Sequence, residues 1–235
     1  MFNPDILQAE NIKNGTVILF HKPQTWTSFD IVNYVRKALN TKIGHAGTLD
    51  PLATGLLILC TEKMTKKIEQ FQDLDKEYTG TIVIGKTTPS FDLETEISET
   101  KPVENIENKD LLQVGQQFIG KQQQIAPLFS AKKIDGERAY HKARRGESAE
   151  ITAREIEIKQ FEISDIRRNN DSIEVDFLIL CTKGTYIRAI ARDFGLKLNN
   201  VAYLSKLVRT RIGDYLLENA ITLEKFREFF PSTRK

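Results

Sequence analysis

The spacing of apolar and polar positions changes period several times along the chain, and each change marks an element. Residues 16–20 are a β-branched and aromatic run closed by Lys22-Pro23, which predicts a strand entering a loop. Thr27-Ser28-Phe29-Asp30 has the form of a capping box, and Ile31, Val35, Ala38 and Leu39 continue it at helical spacing. Residues 42–55 show little periodicity and contain three glycines and Pro51, then run into the apolar stretch 56–60. That pattern predicts a long loop feeding a buried strand. Met64, Ile68, Phe71 and Leu74 place an amphipathic helix over 62–74. Residues 78–85 read as a strand with Tyr78, Gly80, Ile82 and Ile84 on one face.

Residues 87–108 carry two prolines and few large apolar side chains, which predicts a mobile surface excursion. A helix is expected over 110–119, with Leu111, Leu112 and Phe118 inward, and a short basic helix over 137–145 between two glycines. Ile156 and Ile158 share one parity while Phe161 and Ile163 take the other, so a bulge should separate them. Ile173, Val175, Phe177, Ile179 and Cys181 form the cleanest alternation, and the apolar second half of that run marks a central strand. A helix over 186–198, a strand over 204–210 and a helix over 223–230 capped by Thr222 complete an α+β chain with a dominant sheet.

Composition narrows the class. With 235 residues, 40% hydrophobic and 28% charged, disorder and collagen are excluded, and one large or two small domains are allowed. No apolar stretch approaches the ~20 residues of a membrane span, and the opening Met1-Phe2-Asn3-Pro4-Asp5 lacks the regions of a signal peptide. A cytoplasmic protein with no membrane contact is expected. Cys60 and Cys181 both fall in apolar runs and are expected as buried thiols rather than a disulfide or zinc site.

The net charge of +2 hides a partition. Residues 86–110 hold seven carboxylates against three lysines, residues 121–146 seven basic groups against two acidic, and residues 183–211 seven against one. Two basic segments on one face would make a polyanion footprint; spread over the surface they would only be solvated.

One segment concentrates candidate chemistry. Gly44-His45-Ala46-Gly47-Thr48-Leu49-Asp50-Pro51-Leu52-Ala53-Thr54-Gly55 presents a single carboxylate, Asp50, on a backbone stiffened by Pro51, with glycines that admit a ligand. An isolated Asp-Pro would be read as an Asx turn.

These twelve positions resemble the catalytic signature of the TruB family of tRNA pseudouridine synthases. Further patches match the family in the same order: Lys22-Pro23, Lys76-Glu77-Tyr78, Lys183-Gly184-Thr185-Tyr186-Ile187-Arg188, and Leu204-Ser205-Lys206-Leu207-Val208-Arg209-Thr210 with Gly213. Pro127, Ser130-Ala131, Lys133, Gly136 and Tyr140 sit where a thumb-like insert is expected, and the resemblance spans about residues 15–222.

The resemblance implies a single catalytic domain of the pseudouridine synthase fold, with an acidic excursion at 87–108 and a basic insert at 121–150. It implies isomerisation of uridine 55 in the tRNA T arm to pseudouridine: the C1′–N1 bond breaks, the uracil turns, and C5 joins C1′. Asp50 would be the nucleophile and Arg188 its cationic partner, since a fixed cation favours the charged form of a carboxylate. Tyr78 would lie against the flipped uracil, Tyr186 and Leu207 would wall the pocket, and His45 would stack in the space the base leaves. Lys22 and the basic segments would meet RNA phosphates. No cofactor, metal or obligate protein partner is implied, and a monomer is expected. Tyr203 and Val208 stand where many relatives have His and Arg, and the short tail after Phe230 is expected to leave out a C-terminal PUA domain. A non-catalytic tRNA chaperone gripping the same T arm is the rival reading. A glycosidase or phosphatase is weaker, because no second carboxylate or metal cluster accompanies Asp50.

Overall fold

The computed structural model describes residues 3–129, 133–134, 137–138 and 152–231. In chain order the elements are α1 (Ala9–Asn14), β1 (Val17–Lys22), α2 (Ser28–Leu39), β2 (Ile43–Ala46), β3 (Thr54–Thr61), a 3-10 segment (Glu62–Lys67), α3 (Ile68–Asp73) and β4 (Lys76–Ile84). Then come β5 (Lys86–Thr87), β6 (Glu99–Thr100), α4 (Asn108–Gln116), β7 (Gly120–Gln124), β8 (Lys133–Ile134), β9 (Glu137–Arg138), β10 (Arg154–Arg168) and β11 (Ile173–Cys181). The chain ends with α5 (Ile187–Lys197), β12 (Ala202–Ile212), β13 (Tyr215–Leu216) and α6 (Leu223–Phe229). It divides into two compact units, Met1–Tyr78 with Leu207–Lys235, and Thr79–Lys206. The expected α+β class is observed.

In the first unit β3 is the axis. β1 lies antiparallel along one edge, from Val17 opposite Cys60 to Lys22 opposite Gly55. The other edge is shared: β12 runs parallel at Thr54 and Gly55, and β2 antiparallel from Ile58 to Thr61. Both faces of β3 are covered, which is why its sequence is a continuous apolar run. Leu57 and Leu59 pack with Phe20, Ile31, Val35 and Phe226 on one side. Leu56, Ile58 and Cys60 pack with Phe71 and Ile212 on the other. The α2 capping box forms as the sequence predicts, Thr27 Oγ1 accepting from the Asp30 amide and Asp30 accepting from the Thr27 amide. Thr222 likewise caps α6.

In the second unit β11 lies between β4 and β10, with β7 beyond β10 and β12 beside β4. β11 alternates buried and half-buried residues along its whole length. The register of β10 against β11 slips between Ile158 and Gln160, the expected bulge, and again between Ile163 and Asp165. Phe118, Phe161 and Phe194 stack at 5.7–6.1 Å and tie α4 and α5 to β10.

Several expectations are corrected. Residues 43–46, taken into the loop, form β2, because β3 offers its second edge there. The helix over 62–74 begins as a 3-10 turn. Leu112 is 50% exposed, since Leu111, Val114 and Gly115 make the inner stripe of α4 and leave Leu112 off that face. Within the expected excursion over 87–108, Thr88, Ser90, Asp92, Val103 and Ile106 are buried, while most of the other residues are exposed. Residues 137–138, taken as the start of a basic helix, pair with β8 as a hairpin, and the rest of that helix lies outside the described residues. Both cysteines are buried thiols.

Candidate active site

In the first unit, Asp50 stands on the segment between β2 and β3, half-buried, with Leu49 buried before it and Thr48 exposed. The backbone around it is held by buried groups from three other elements. Ser28, at the start of α2, accepts from the Leu49 amide at 2.9 Å and donates to the Leu49 carbonyl at 3.3 Å. The Lys22 ammonium, at the end of β1, donates to the carbonyls of Pro51 at 3.2 Å, Trp26 at 2.5 Å and Pro23 at 3.0 Å. The Thr25 amide donates to the Pro51 carbonyl as well, at 2.9 Å. Arg209, on β12, donates through Nε to the Leu56 carbonyl at 2.7 Å and through Nη2 to the Gly47 carbonyl at 3.1 Å.

Gly55 explains why β12 can come so close. Its φ is +112°, and a Cβ there would be driven into the Arg209 backbone.

Lys22 therefore needs a correction. Its side chain is fully buried and its three donors are spent on carbonyls, so it supports the loop rather than reaching phosphate. Burial pushes its pKa down to about 8, against the attraction of the Asp50 carboxylate and with help from the Arg209 charge. His45, on β2, is half-buried, and burial, aided by Arg209, holds it below the ordinary histidine value. Electrostatics thus bring Lys22, His45, Asp50 and Arg209 into one neighbourhood. Tyr78 is buried near the start of β4, and Leu207 is half-buried on β12.

Tyr186 and Arg188 belong to the second unit. Tyr186 precedes α5, its amide donating to Gln124 Oε1 at 2.8 Å while Gln124 Nε2 donates back to its carbonyl at 3.1 Å. The Arg154 guanidinium lies 4.7 Å from the centre of its ring. Arg188 is 3% exposed, pairs with Asp92 at 3.5 Å, and donates to the carbonyls of Ser90 at 3.0 Å and Phe129 at 2.8 Å.

Sequence reading missed Ser28, Arg209, Gln124 and Asp92. Asp92 lies in a segment whose acidity looks like a solvated surface, and Arg209 stands in a basic stretch and in a patch that matches the family, with no role of its own assigned. A buried cation has no periodic signature. The signal available was its position two residues after Leu207, within the patch that resembles the family.

Comparison with known proteins identifies the family. Residues 36–187 match the family model described as TruB family pseudouridylate synthase (N terminal domain). The chain is 48% identical over 226 residues to a tRNA pseudouridine synthase B of Phocaeicola vulgatus, covering 93% of this chain and 94% of that protein. It is 49% identical over 230 residues to one of Flavobacterium johnsoniae, covering 94% and 99%. A solved H/ACA RNP bound to a substrate RNA containing 2'-deoxyuridine includes a chain that superposes with a TM-score of 0.70 at 26% identity. A Cbf5-Nop10-Gar1 complex does so with 0.70 at 27%. This chain spans only 57% and 59% of those two solved chains. Nearly full-length identity and the family model lead to one conclusion: the chain belongs to the TruB family of pseudouridylate synthases.

Proposed function

We propose that this protein converts uridine to pseudouridine in tRNA, at position 55 of the T arm, with Asp50 as nucleophile, acting as a cytoplasmic monomer. The observation that carries the reading is the Asp50 loop, a single carboxylate on a backbone pinned by buried Ser28, Lys22 and Arg209. Its relatives named tRNA pseudouridine synthase B support tRNA as the substrate. Attack on the ribose, attack on the base and elimination of the base all begin from an ionised Asp50. In each the C1′–N1 bond is lost, a C1′–C5 bond is made, C5 gives up its proton and N1 takes one up, so the reaction is a redox-neutral isomerisation.

Arg188 is the proposed cationic partner, Tyr78 the stacking and proton-transfer residue, and Tyr186 and Leu207 the pocket walls. Extruding the target base costs a few kcal/mol, and His45 is proposed to stack in the vacated place. A neutral imidazole suits that task, in keeping with its lowered pKa.

The test is incubation with a T-arm stem-loop transcript and detection of pseudouridine. Wild type should form it at the position equivalent to uridine 55. Asp50→Asn should form none. An active Asp50→Asn protein would remove the nucleophile, and an inactive wild type that still refolds tRNA would leave the chaperone in its place.

A further inference from the structure

The edge of β3 changes partner between Gly55, which faces β12, and Ile58, which faces β2. Where the two neighbours part, the Leu56 carbonyl has Arg209 Nε in place of a ladder amide. The same guanidinium reaches the Gly47 carbonyl, one residue beyond the end of β2. Gly47 has a φ of +84°, and a Cβ there would stand 3.6 Å from Arg209 Nη1. One side chain thus closes both ends of the segment that carries Asp50.

The choice of residue is informative. Arg209 is 1% exposed, and among the described residues it makes no ion pair. Burying a cation on carbonyls alone is costly compared with burying an apolar side chain. A fold that needed only packing at this point of β12 would place an aliphatic residue there. What the guanidinium adds is a rigid planar fork that fixes two carbonyls at a set separation, which a flexible ammonium does not reproduce.

Resting on the reading that Asp50 is the nucleophile, we infer that Arg209 is a positioning residue for the reaction: it sets the span of the 47–56 segment and so the place of the Asp50 carboxylate. It does this from beneath the segment and makes no contact with RNA. This removes one charge from the basic segment that the sequence assigns to phosphate binding.

The test measures single-turnover rate on a T-arm stem-loop and, separately, its Kd at several salt concentrations, for wild type, Arg209→Lys and Arg209→Met, well below each protein's Tm. Displacing a reacting group by about 1 Å costs on the order of 100-fold in rate. Arg209→Met should therefore lose on the order of 100-fold in single-turnover rate, while Kd and its salt slope stay at wild-type values. Arg209→Lys, which keeps charge and one donor contact, should recover part of the rate. A single-turnover rate constant does not depend on the fraction of folded enzyme, so a purely stabilising role would lower amplitude and Tm and leave the rate unchanged. That result would overturn the inference. So would a weakened Kd with a salt slope shallower by about one, the mark of a lost phosphate contact, or failure of both variants to fold. Wild type and Asp50→Asn run alongside: if wild type forms no pseudouridine, the functional reading fails, whereas an active wild type with an equally fast Arg209→Met defeats the inference alone.

Discussion

Two irregular segments, one in each unit, are held in different ways. The Asp50 segment is held from outside. Ser28, Lys22, Thr25 and Arg209 grip its backbone carbonyls and amides. The segment around Asp92 is also gripped from outside, by Arg188 at the Ser90 carbonyl and by the Leu204 amide at the Phe91 carbonyl, but it adds side chains of its own. Thr88 and Ser90 hydroxyls donate to the Asp92 carbonyl at 2.6 and 3.2 Å, Asp92 Oδ1 accepts from the Glu94 amide at 2.9 Å, and the carboxylate faces Arg188. The difference follows from where the working group must point. A loop that presents a carboxylate to a substrate must be fixed by its main chain, whereas a segment that supports a buried cation turns its own polar side chains inward.

The largest effect that separates the two should come from Asp92→Ala. Its carboxylate and the Arg188 guanidinium are 7% and 4% exposed, and deleting one partner of a buried pair costs about 3–5 kcal/mol. Equilibrium denaturation in urea measures it. A loss under about 1 kcal/mol, the value of an exposed pair, would mean that Asp92 is held no more firmly than the exposed remainder of residues 87–108.

That segment also shows what a sequence conceals. Strands and helices were legible wherever apolar residues repeat with a period, as in β11 and α2, because burial of a face imposes the period. The Asp50 loop was legible because glycine and proline announce irregular backbone, and because its twelve positions resemble a known family. Buried Thr88, Ser90 and Asp92 carry no such mark: short polar residues are as common in solvated loops, and what distinguishes the two cases is Arg188, distant in sequence, which faces Asp92 and donates to the Ser90 carbonyl. Lys22 failed for the same reason, since a lysine after a strand looks exposed until three carbonyls are found around it.

A smaller effect tests the external clamp. Ser28→Ala removes the acceptor of the buried Leu49 amide and should cost about 1–3 kcal/mol, the penalty of a buried donor left without a partner. Because the lost contact lies one residue from Asp50, turnover should fall more steeply than RNA affinity. An equal fall in both would mean that α2 contributes stability to the unit without placing the loop.

The smallest effect is a titration. The folded pKa of Lys22 is about 8 against an ordinary 10.5, so between these values the unfolded chain holds a proton that the folded chain has released. Stability then rises with pH across that window, by about 1.4 kcal/mol for each unit of pKa difference traversed. By pH 9 wild type should have gained about 1 kcal/mol relative to Lys22→Met, and the gain is absent below pH 8, where both states carry the proton. Turnover should move the other way. A neutral amine has two N–H groups for three carbonyls, so the grip on Pro51 loosens as the protein deprotonates and the rate should descend on an alkaline limb near pH 8. The limb should be absent from Lys22→Met, which would assign it to Lys22 and so to the Asp50 segment. A rate flat from pH 7 to 10, with Asp50→Asn still inactive, would show that Lys22 holds the loop by packing and not by its charge.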